Sequence, residues 1–420
     1  SESEKEEARA KLLNDSEINN PSSYLNQFGD TYWSGKALLK SIQSAHLAKA
    51  LGEDDLSAKI VNAVTETLDD WFEASGEAGD RHFAYNPIWD TVQGYPDSFG
   101  SASQLNDHHF HYGYFIHAAA LAGLLNPSWI ETQRDMVDLL INDVAGWDLT
   151  DASLPELRNF STMAGHSWAS GHGAFGRGNN HESSSESMNF STGLTLWGGI
   201  TNRDKLTNLG QTLYSLEAKA IQEYWFEKNQ HIHPDGYNVE SSGMLWGDGA
   251  AHSTWFSAEP EHIKGINFLP FSGGSLYLSE MARDPSALIS EIDELTGDEI
   301  DQWGGLILQY EALFNQQGAL EKKDILIEQL EEGQSKVGVY SWIHALANLG
   351  TPTSTIRANH PLSAVFINEE ITSYTAFNPG DSPLAVAFND GHNMTIDPMQ
   401  LLTQTLDQNA IIQENSLSYL

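Results

Sequence analysis

Apolar residues recur at helical spacing along most of the first 350 residues, and this pattern predicts a largely helical chain. Residues 36–51 and 56–75 carry Ala and Leu at that spacing and predict two amphipathic helices. Phe110, Tyr114, Ala118, Ala122 and Leu125 fall on one stripe and predict a helix over 108–125, followed by another over 128–144. The pattern resumes near Glu182, runs to about Trp197 and returns over 201–225, with further helices predicted over 263–282, 299–316, 318–331 and 338–348. A short charged helix start occupies residues 3–13, and polar, Asn-rich sequence then runs to about Gly29.

Three stretches break the helical pattern: 76–106, 145–181 and 230–262, all read as long loops. The first is rich in Gly, Pro, Asp and aromatic residues, and loops of that composition often line a binding site. The texture changes after Pro352, where SAVFINEE, ITSYTAFN, LAVAFNDG and NMTIDP read as short strands separated by turn residues. Residues 355–397 are therefore predicted to form a small antiparallel β-meander on a helical body, and residues 398–420 carry no clear signal. Helices in pairs, joined by long loops and with few strands before residue 355, predict a mainly α fold of the α/α toroid type. The expected organisation is a toroid over 1–352 and a β-rich segment over 353–420 packed on it.

Charge narrows the partners. The chain has 420 residues, 58 Asp and Glu against 21 Lys and Arg, and a formal net charge of -37. Such a surface repels phosphate backbones and anionic lipid, so neither nucleic acid nor a membrane is an expected partner, whereas an uncharged polymer is. The acidity itself reads as solubility in salty water, where self-repulsion is screened and stability should rise with salt. There is no Cys, which excludes disulfides, thiol chemistry and Cys-based zinc sites. No stretch is long and apolar enough to span a bilayer. The chain opens Ser-Glu-Ser-Glu without Met and reads as a mature or trimmed form.

Candidate chemistry centres on carboxylates. In 182-ESSSE-186, a helical reading places Glu182 and Glu186 four residues apart on one face that continues into Phe190, Leu194 and Trp197. Two acids at the head of a core-facing stripe, separated by three weak helix formers, break local rules in the way functional sites do. They are equally compatible with a solvated helix start that favours Glu. Asp107, in NDHHFHYGYF, stands where helix 108–125 begins and has the type of an ordinary N-cap. The surrounding His108, His109, His111, Tyr112 and Tyr114 exceed what a cap requires. These histidines lack metal-ligand spacing, and no metal or cofactor is expected. GHSWASG (165–171) is not a nucleophile elbow, and GAFGRGNN lacks phosphate-loop spacing. Trp89, Trp168, Trp246 and Trp255 lie in loop-like sequence, where flat rings can stack on sugar faces. With Tyr85, His109, His111, His166 and Asn180 they are the candidate substrate contacts.

Taken in order, NDHHFHYGYF, LRNFSTMAGHSWASG, ESSSE, WGDGAAHSTWFSAEPEHIKGINFLP and YTAFNPGDSPLAVAFNDG resemble glycoside hydrolase family 81, the endo-β-1,3-glucanases. The similar blocks run from about Asp30 to Pro398. The resemblance implies an (α/α)6 toroid carrying the cleft, inversion without a metal, Asp107 as acid, Glu182 as base and Glu186 assisting or orienting water. It further implies a secreted enzyme acting on β-1,3-glucan, expected as a monomer. The chain departs from the family pattern at His181, usually Gln, and at Ser161, usually Asp, and the family's usual N-terminal β-sandwich is expected to be either trimmed from this sequence or naturally absent. A polysaccharide lyase would need a basic cleft, which 21 Lys and Arg in 420 residues disfavour. In a non-catalytic glucan-binding protein all three acids would be dispensable.

Overall fold

The computed structural model describes residues 1–77, 79–146, 153–297, 299–407 and 410–414, the last five by backbone alone. Among these residues the helices are α1 (Glu2–Asn14), α2 (Ser16–Asn19), α3 (Pro21–Leu25), α4 (Thr31–Ala50), α5 (Asp54–Phe72), α6 (His108–Leu125), α7 (Pro127–Ala145), α8 (Ser184–Ile200) and α9 (Asp204–Tyr224). They continue with α10 (Pro260–Gly265), α11 (Pro285–Thr296), α12 (Gly304–Glu311), α13 (Gln316–Leu326) and α14 (Lys336–Leu349), and a 3-10 helix spans Gly273–Glu280. Short strands fill the breaks: β1 (His82–Asn86), β2 (Thr91–Tyr95), β3 (Phe160–Ser161), β4 (His166–Ser167), β5 (Asn180–Glu182), β6 (Met244–Trp246) and β7 (Gly249–Ala251). After α14 come β8 (Thr351–Pro352), β9 (Ser363–Asn368), β10 (Ile371–Asn378), β11 (Leu384–Ala387), β12 (Asn393–Ile396), β13 (Gln400–Asp407) and β14 (Ala410–Glu414).

Helices α4, α6 and α8 lie side by side and run in the same direction. Gly35 of α4 sits under Tyr114 near the start of α6, while His46, a turn from the end of α4, contacts the Leu121 carbonyl at 2.9 Å. The α6–α8 seam repeats this, with Gly113 against Phe190 and Gly123 beside Ile200. Close approach requires glycine here: a Cβ on Gly193 would lie 2.8 Å from the His117 Cα. Helices α5, α7 and α9 return antiparallel beside them, and α14 packs against α1 and α4, bringing the end of the helical series back to its beginning. One continuous core runs from Ala8 to Phe366, with Trp71, Trp197 and Trp225 completely buried. Aromatic side chains of that size dominate the apolar area removed from water.

The structure departs from the sequence reading in several places. The pattern over 263–282 is not one helix: α10 stops at Gly265, and the chain passes through Pro270 before tightening into the 3-10 helix, which opens on the Gly273–Gly274 pair. Helix α11 went unread, although Asp284 caps it, Pro285 opens it and Gly297 ends it in the left-handed region. The polar stretch before Gly29 holds α2 and α3. The C-terminal sheet is antiparallel but not a meander. Its order is β14-β13-β10-β9-β8, with β11 and β12 set aside as a separate hairpin, so β10 pairs with β13 rather than with the next strand. Residues after 398, read as featureless, supply that partner strand. Val365, Tyr374, Ala376, Val386, Phe388, Met394 and Ile396 form a small core of their own, while Phe366 faces the main one.

Candidate active site

The second and third loops become strands where they meet. β5, from the second loop, pairs with β6, from the third, placing Glu182 opposite Met244 and Asn180 opposite Trp246. The second loop also meets the start of α6: the Asp107 N–H donates to the Ala169 carbonyl at 2.8 Å, and the Ala169 N–H donates to the Asn180 carbonyl at 2.8 Å. Asp107, Ala169 and β5 are thus linked edge to edge, and the starts of α6 and α8 open on the same end of the helix pair.

Both starts are unusual. Asp107 is the N-cap of α6, but its φ is 61° and its side chain accepts no capping hydrogen bond. Ser183 is the N-cap of α8 with φ 54° and likewise makes no cap bond. Left-handed backbone at a non-glycine residue costs about 1–3 kcal/mol and persists where the surroundings enforce it. For Ser183 the enforcing contacts are visible. The three serines of ESSSE all bind the 266–269 segment: Ser183 Oγ donates to the Ile266 carbonyl at 3.1 Å, Ser184 Oγ to Asn267 Oδ1 at 2.7 Å, and Ser185 Oγ to the Leu269 carbonyl. The expectation that Glu182 and Glu186 share a helix face is therefore corrected. Glu182 ends strand β5, the chain turns at Ser183, and only Glu186 lies in the helix.

The three acids are brought into one electrostatic unit. Burial pushes the Asp107 carboxyl well above the usual carboxylate range, and the charges of Glu186 and Glu182 push it further. Burial raises Glu182 to about 7, opposed by the Trp255 backbone N–H, which donates to its Oε1 at 2.7 Å. Glu186 is 2 % exposed, and burial raises it while Lys36, Ser183, Tyr114 and Tyr32 hold it down. The Tyr114 and Tyr32 hydroxyls both face the Glu186 carboxylate, and burial together with the Glu186 charge raises both phenols well above their ordinary range. Lys36 is itself paired with buried Glu331 and lies 5.3 Å from the Tyr32 ring. Tyr32, Tyr114 and Lys36 were not among the sequence candidates. Tyr32 lies before the helix expected over 36–51 and Tyr114 was noted only as a ring beside Asp107; the meeting of α4, α6 and α8 brings all three to Glu186.

Aromatic rings flank the acids. Trp246 and Trp255 meet edge to face at 5.3 Å, and Phe175 contacts both, at 5.6 and 5.8 Å. Trp255 is 57 % exposed, and its indole N–H donates to Asn180 Oδ1 at 3.3 Å. Phe175 was missed by sequence reading because its glycine-rich surroundings give no periodicity. On the Asp107 side, a cavity of 220 Å³ is lined by Arg158, Asn159, Ser161, Trp168, Ser170 and Asn179, among others. Tyr85 and Trp89 are exposed on the β1–β2 hairpin, where the Tyr85 hydroxyl donates to the Ser153 carbonyl at 2.8 Å.

The candidate histidines lie beneath this surface. His111 is buried, with Nδ1 at 2.8 Å from Thr31 Oγ1. His166 is buried, with Nδ1 on the Ser167 carbonyl at 2.7 Å. His109 is buried with both ring nitrogens unpartnered, and burial pushes it well below the ordinary imidazole range. His108 joins buried Asp143 at 2.5 Å, and Asp143 also accepts from the Val92 N–H and from Arg158, tying the hairpin to the start of α6. Among the described residues no group of three or more His, Asp or Glu side chains is placed to hold a metal ion, and no helix is long and apolar enough to cross a membrane.

Residues 1–343 match the glycosyl hydrolase family 81 C-terminal domain. The chain is 38% identical over 378 residues to a glucan endo-1,3-beta-D-glucosidase of Thermobifida fusca, covering 89% of this chain and 50% of that protein. It is 37% identical over 393 residues to one from Acetivibrio thermocellus, covering 91% and 50%. The solved structure of a mutant glycoside hydrolase family 81 protein from Clostridium thermocellum superposes with a TM-score of 0.88 at 36% identity, covering 96% of this chain and 56% of that one. The chain therefore spans about half the length of these relatives. It belongs to glycoside hydrolase family 81.

Proposed function

We propose, from membership in glycoside hydrolase family 81, that this chain hydrolyses internal bonds of β-1,3-glucan with inversion. The observation that carries the reading is the pair of uncapped, left-handed helix starts, which turn Asp107 and the Glu182–Glu186 pair into one charge-crowded cluster. The bacterial relatives named as glucan endo-1,3-beta-D-glucosidases support the substrate.

The mechanism follows from the three environments. Asp107, kept protonated by burial and two neighbouring carboxylates, gives its proton to the leaving glycosidic oxygen. Glu182, held by the Trp255 amide, takes a proton from the attacking water once it is ionised. Glu186, with Tyr32 and Tyr114 around it, orients that water. Inversion needs the acid and base roughly 6.5–9.5 Å apart, on opposite faces of the sugar. The rings of Phe175, Trp246 and Trp255 on one side and Trp168 on the other provide stacking surfaces for a neutral chain.

The parallel run of α4, α6 and α8, the returning α5, α7 and α9 and the contact of α14 with α4 support an (α/α)6 toroid over about 1–352, with 353–420 as a segment packed on it. A polymer of this kind is met outside the cell, so the protein acts as a secreted monomer. A reducing-sugar assay on laminarin tests the activity: release of oligosaccharides by the chain, lost in Glu182→Gln, is expected. Reaction NMR should show the α-anomer first; a β-anomer refutes inversion, and full activity of Glu182→Gln refutes the base.

A further inference from the structure

Behind the acids the interior holds a carboxylate that the mechanism does not use. Glu217 lies on α9, on the buried stripe made by Leu206, Gly210, Leu213, Ala220 and Ile221, and is 1% exposed. Its Oε1 accepts the Ser167 backbone N–H and its Oε2 the Ser167 hydroxyl, both at 3.0 Å. The Ser187 hydroxyl faces the same carboxylate and is 3.1 Å from His181 Nε2, which is in turn 3.8 Å from Glu217 Oε1. Among the described residues no Lys or Arg is paired with it; the titratable groups facing it are His181 from β5 and Tyr277 from the 3-10 helix.

Every segment that Glu217 touches is one residue from the site wall. Ser167 precedes Trp168, His181 precedes Glu182, and Ser187 follows Glu186. Successive side chains of a strand point to opposite faces, so whatever holds His181 inward fixes the direction in which Glu182 projects. Stability accounts for an acceptor at this place, since the buried Ser167 N–H and hydroxyl need one, but not for a carboxyl, whose burial without a cation costs more than a neutral acceptor would.

We infer that Glu217 is a positioning residue for the hydrolysis, setting Glu182 and Glu186 through His181 and Ser187 and the Trp168 ring through Ser167. The inference rests on the roles given to those acids above. A displacement of about 1 Å at reacting groups can cost about 10²-fold in rate.

The test compares Glu217→Leu, Glu217→Gln and Glu217→Asp on laminarin, with Glu182→Gln measured in parallel and unfolding followed by calorimetry. Expected is a Leu variant that folds with a lowered melting midpoint, because the Ser167 N–H and hydroxyl lose their acceptor, and with kcat lowered about 10- to 100-fold and KM little changed. Gln, which keeps an acceptor for the Ser167 amide, should recover most of kcat, and Asp, withdrawn by one methylene, should not. If the Leu variant does not fold, the Gln–Asp difference decides alone. Parental kcat in both Leu and Asp, or a loss that appears only in KM or only in stability, overturns the inference. An active Glu182→Gln overturns the catalytic assignment instead, whatever the Glu217 series shows.

Discussion

Asp30 and Asp107 stand at the N-caps of neighbouring parallel helices, and their carboxyls do opposite things. Asp30 has extended backbone, and its Oδ1 accepts the N–H groups of Tyr32 and Trp33 at 2.9 and 3.0 Å and the Ser98 hydroxyl at 2.8 Å. Asp107 is left-handed, accepts no cap bond, and sits among other carboxylates. One acid satisfies the orphan donors of its helix, and the other is held away from them. The carboxylate of Asp30 is committed to those donors, whereas burial and the charges of Glu186 and Glu182 favour the protonated form of Asp107. The same residue type in the same position thus serves the fold in α4 and, under the proposed mechanism, the reaction in α6.

The strongest way to break this comparison is to neutralise the uncapped acid. Asp107→Asn should lower kcat on laminarin by roughly 10²–10⁴-fold, as removal of a general acid does. It should also raise heat stability at neutral pH. Burial lifts the folded-state Asp107 above its unfolded value, so the folded state binds more protons than the unfolded chain, and stability declines as pH rises above the ordinary carboxylate range. Asn removes that decline, and the advantage over the parent should shrink as pH is lowered toward that range. Calorimetry at two pH values checks it; an Asp107→Asn protein less stable than the parent at neutral pH would mean that Asp107 caps after all.

The pH profile sharpens the same contrast with a smaller effect. Under the proposed mechanism Glu182 acts as base only when ionised, and it is raised to about 7, so kcat/KM should fall as pH drops through that value. Under the same mechanism the alkaline limb reports loss of the Asp107 proton. Because the Glu186 charge helps to hold that proton, Glu186→Gln should move the alkaline limb downward, which residual activity can follow. Trp255→Ala should act differently. Its backbone N–H on Glu182 remains, so removal of an exposed stacking ring, worth about 1 kcal/mol, should raise KM about three- to tenfold with a smaller change in kcat.

Sequence reading reached the long helices because α5 and α7 each carry an apolar stripe at one period over 19 residues, and because α4 and α6 are long runs of apolar and small residues that are buried on most faces. It failed where tertiary contacts override the local pattern. Glu182 read as helical because nothing in ESSSE announces that three hydroxyls are committed to residues 266–269, far along the chain. Glu217 was within reach of the same reading. It interrupts an apolar stripe at helical spacing, Leu206–Gly210–Leu213–Glu217–Ala220, and a charge in such a position is a legible anomaly. The pairing of β10 with β13 was out of reach, since strand order depends on which hairpin is set aside. Asp107 and Glu182 could be singled out as candidates, but their environments could not, because burial and neighbouring charge come from segments that meet only in the folded chain.

The smallest expected effect falls on the other acid of the comparison. Asp30→Ala leaves the Tyr32 and Trp33 N–H groups and the Ser98 hydroxyl without their acceptor. Loss of a side-chain cap costs about 1 kcal/mol. In a chain of 420 residues, whose unfolding entropy is large, that is a midpoint shift on the order of 1–2 °C. Asp30→Asn, which can still accept from the helix, should recover most of it. Because Tyr32 follows within the first turn and faces Glu186, the cap also bears on the site, but through the backbone of a helix packed along its whole length against α6. That packing should hold the ring in place, so kcat at 25 °C should stay close to the parent value. A stability loss without a kcat loss at Asp30, set against a kcat loss without a stability loss at Asp107, would establish that the two helix starts have divided the two uses of an aspartate between them; a large kcat loss at Asp30 would instead make α4 part of the catalytic machinery.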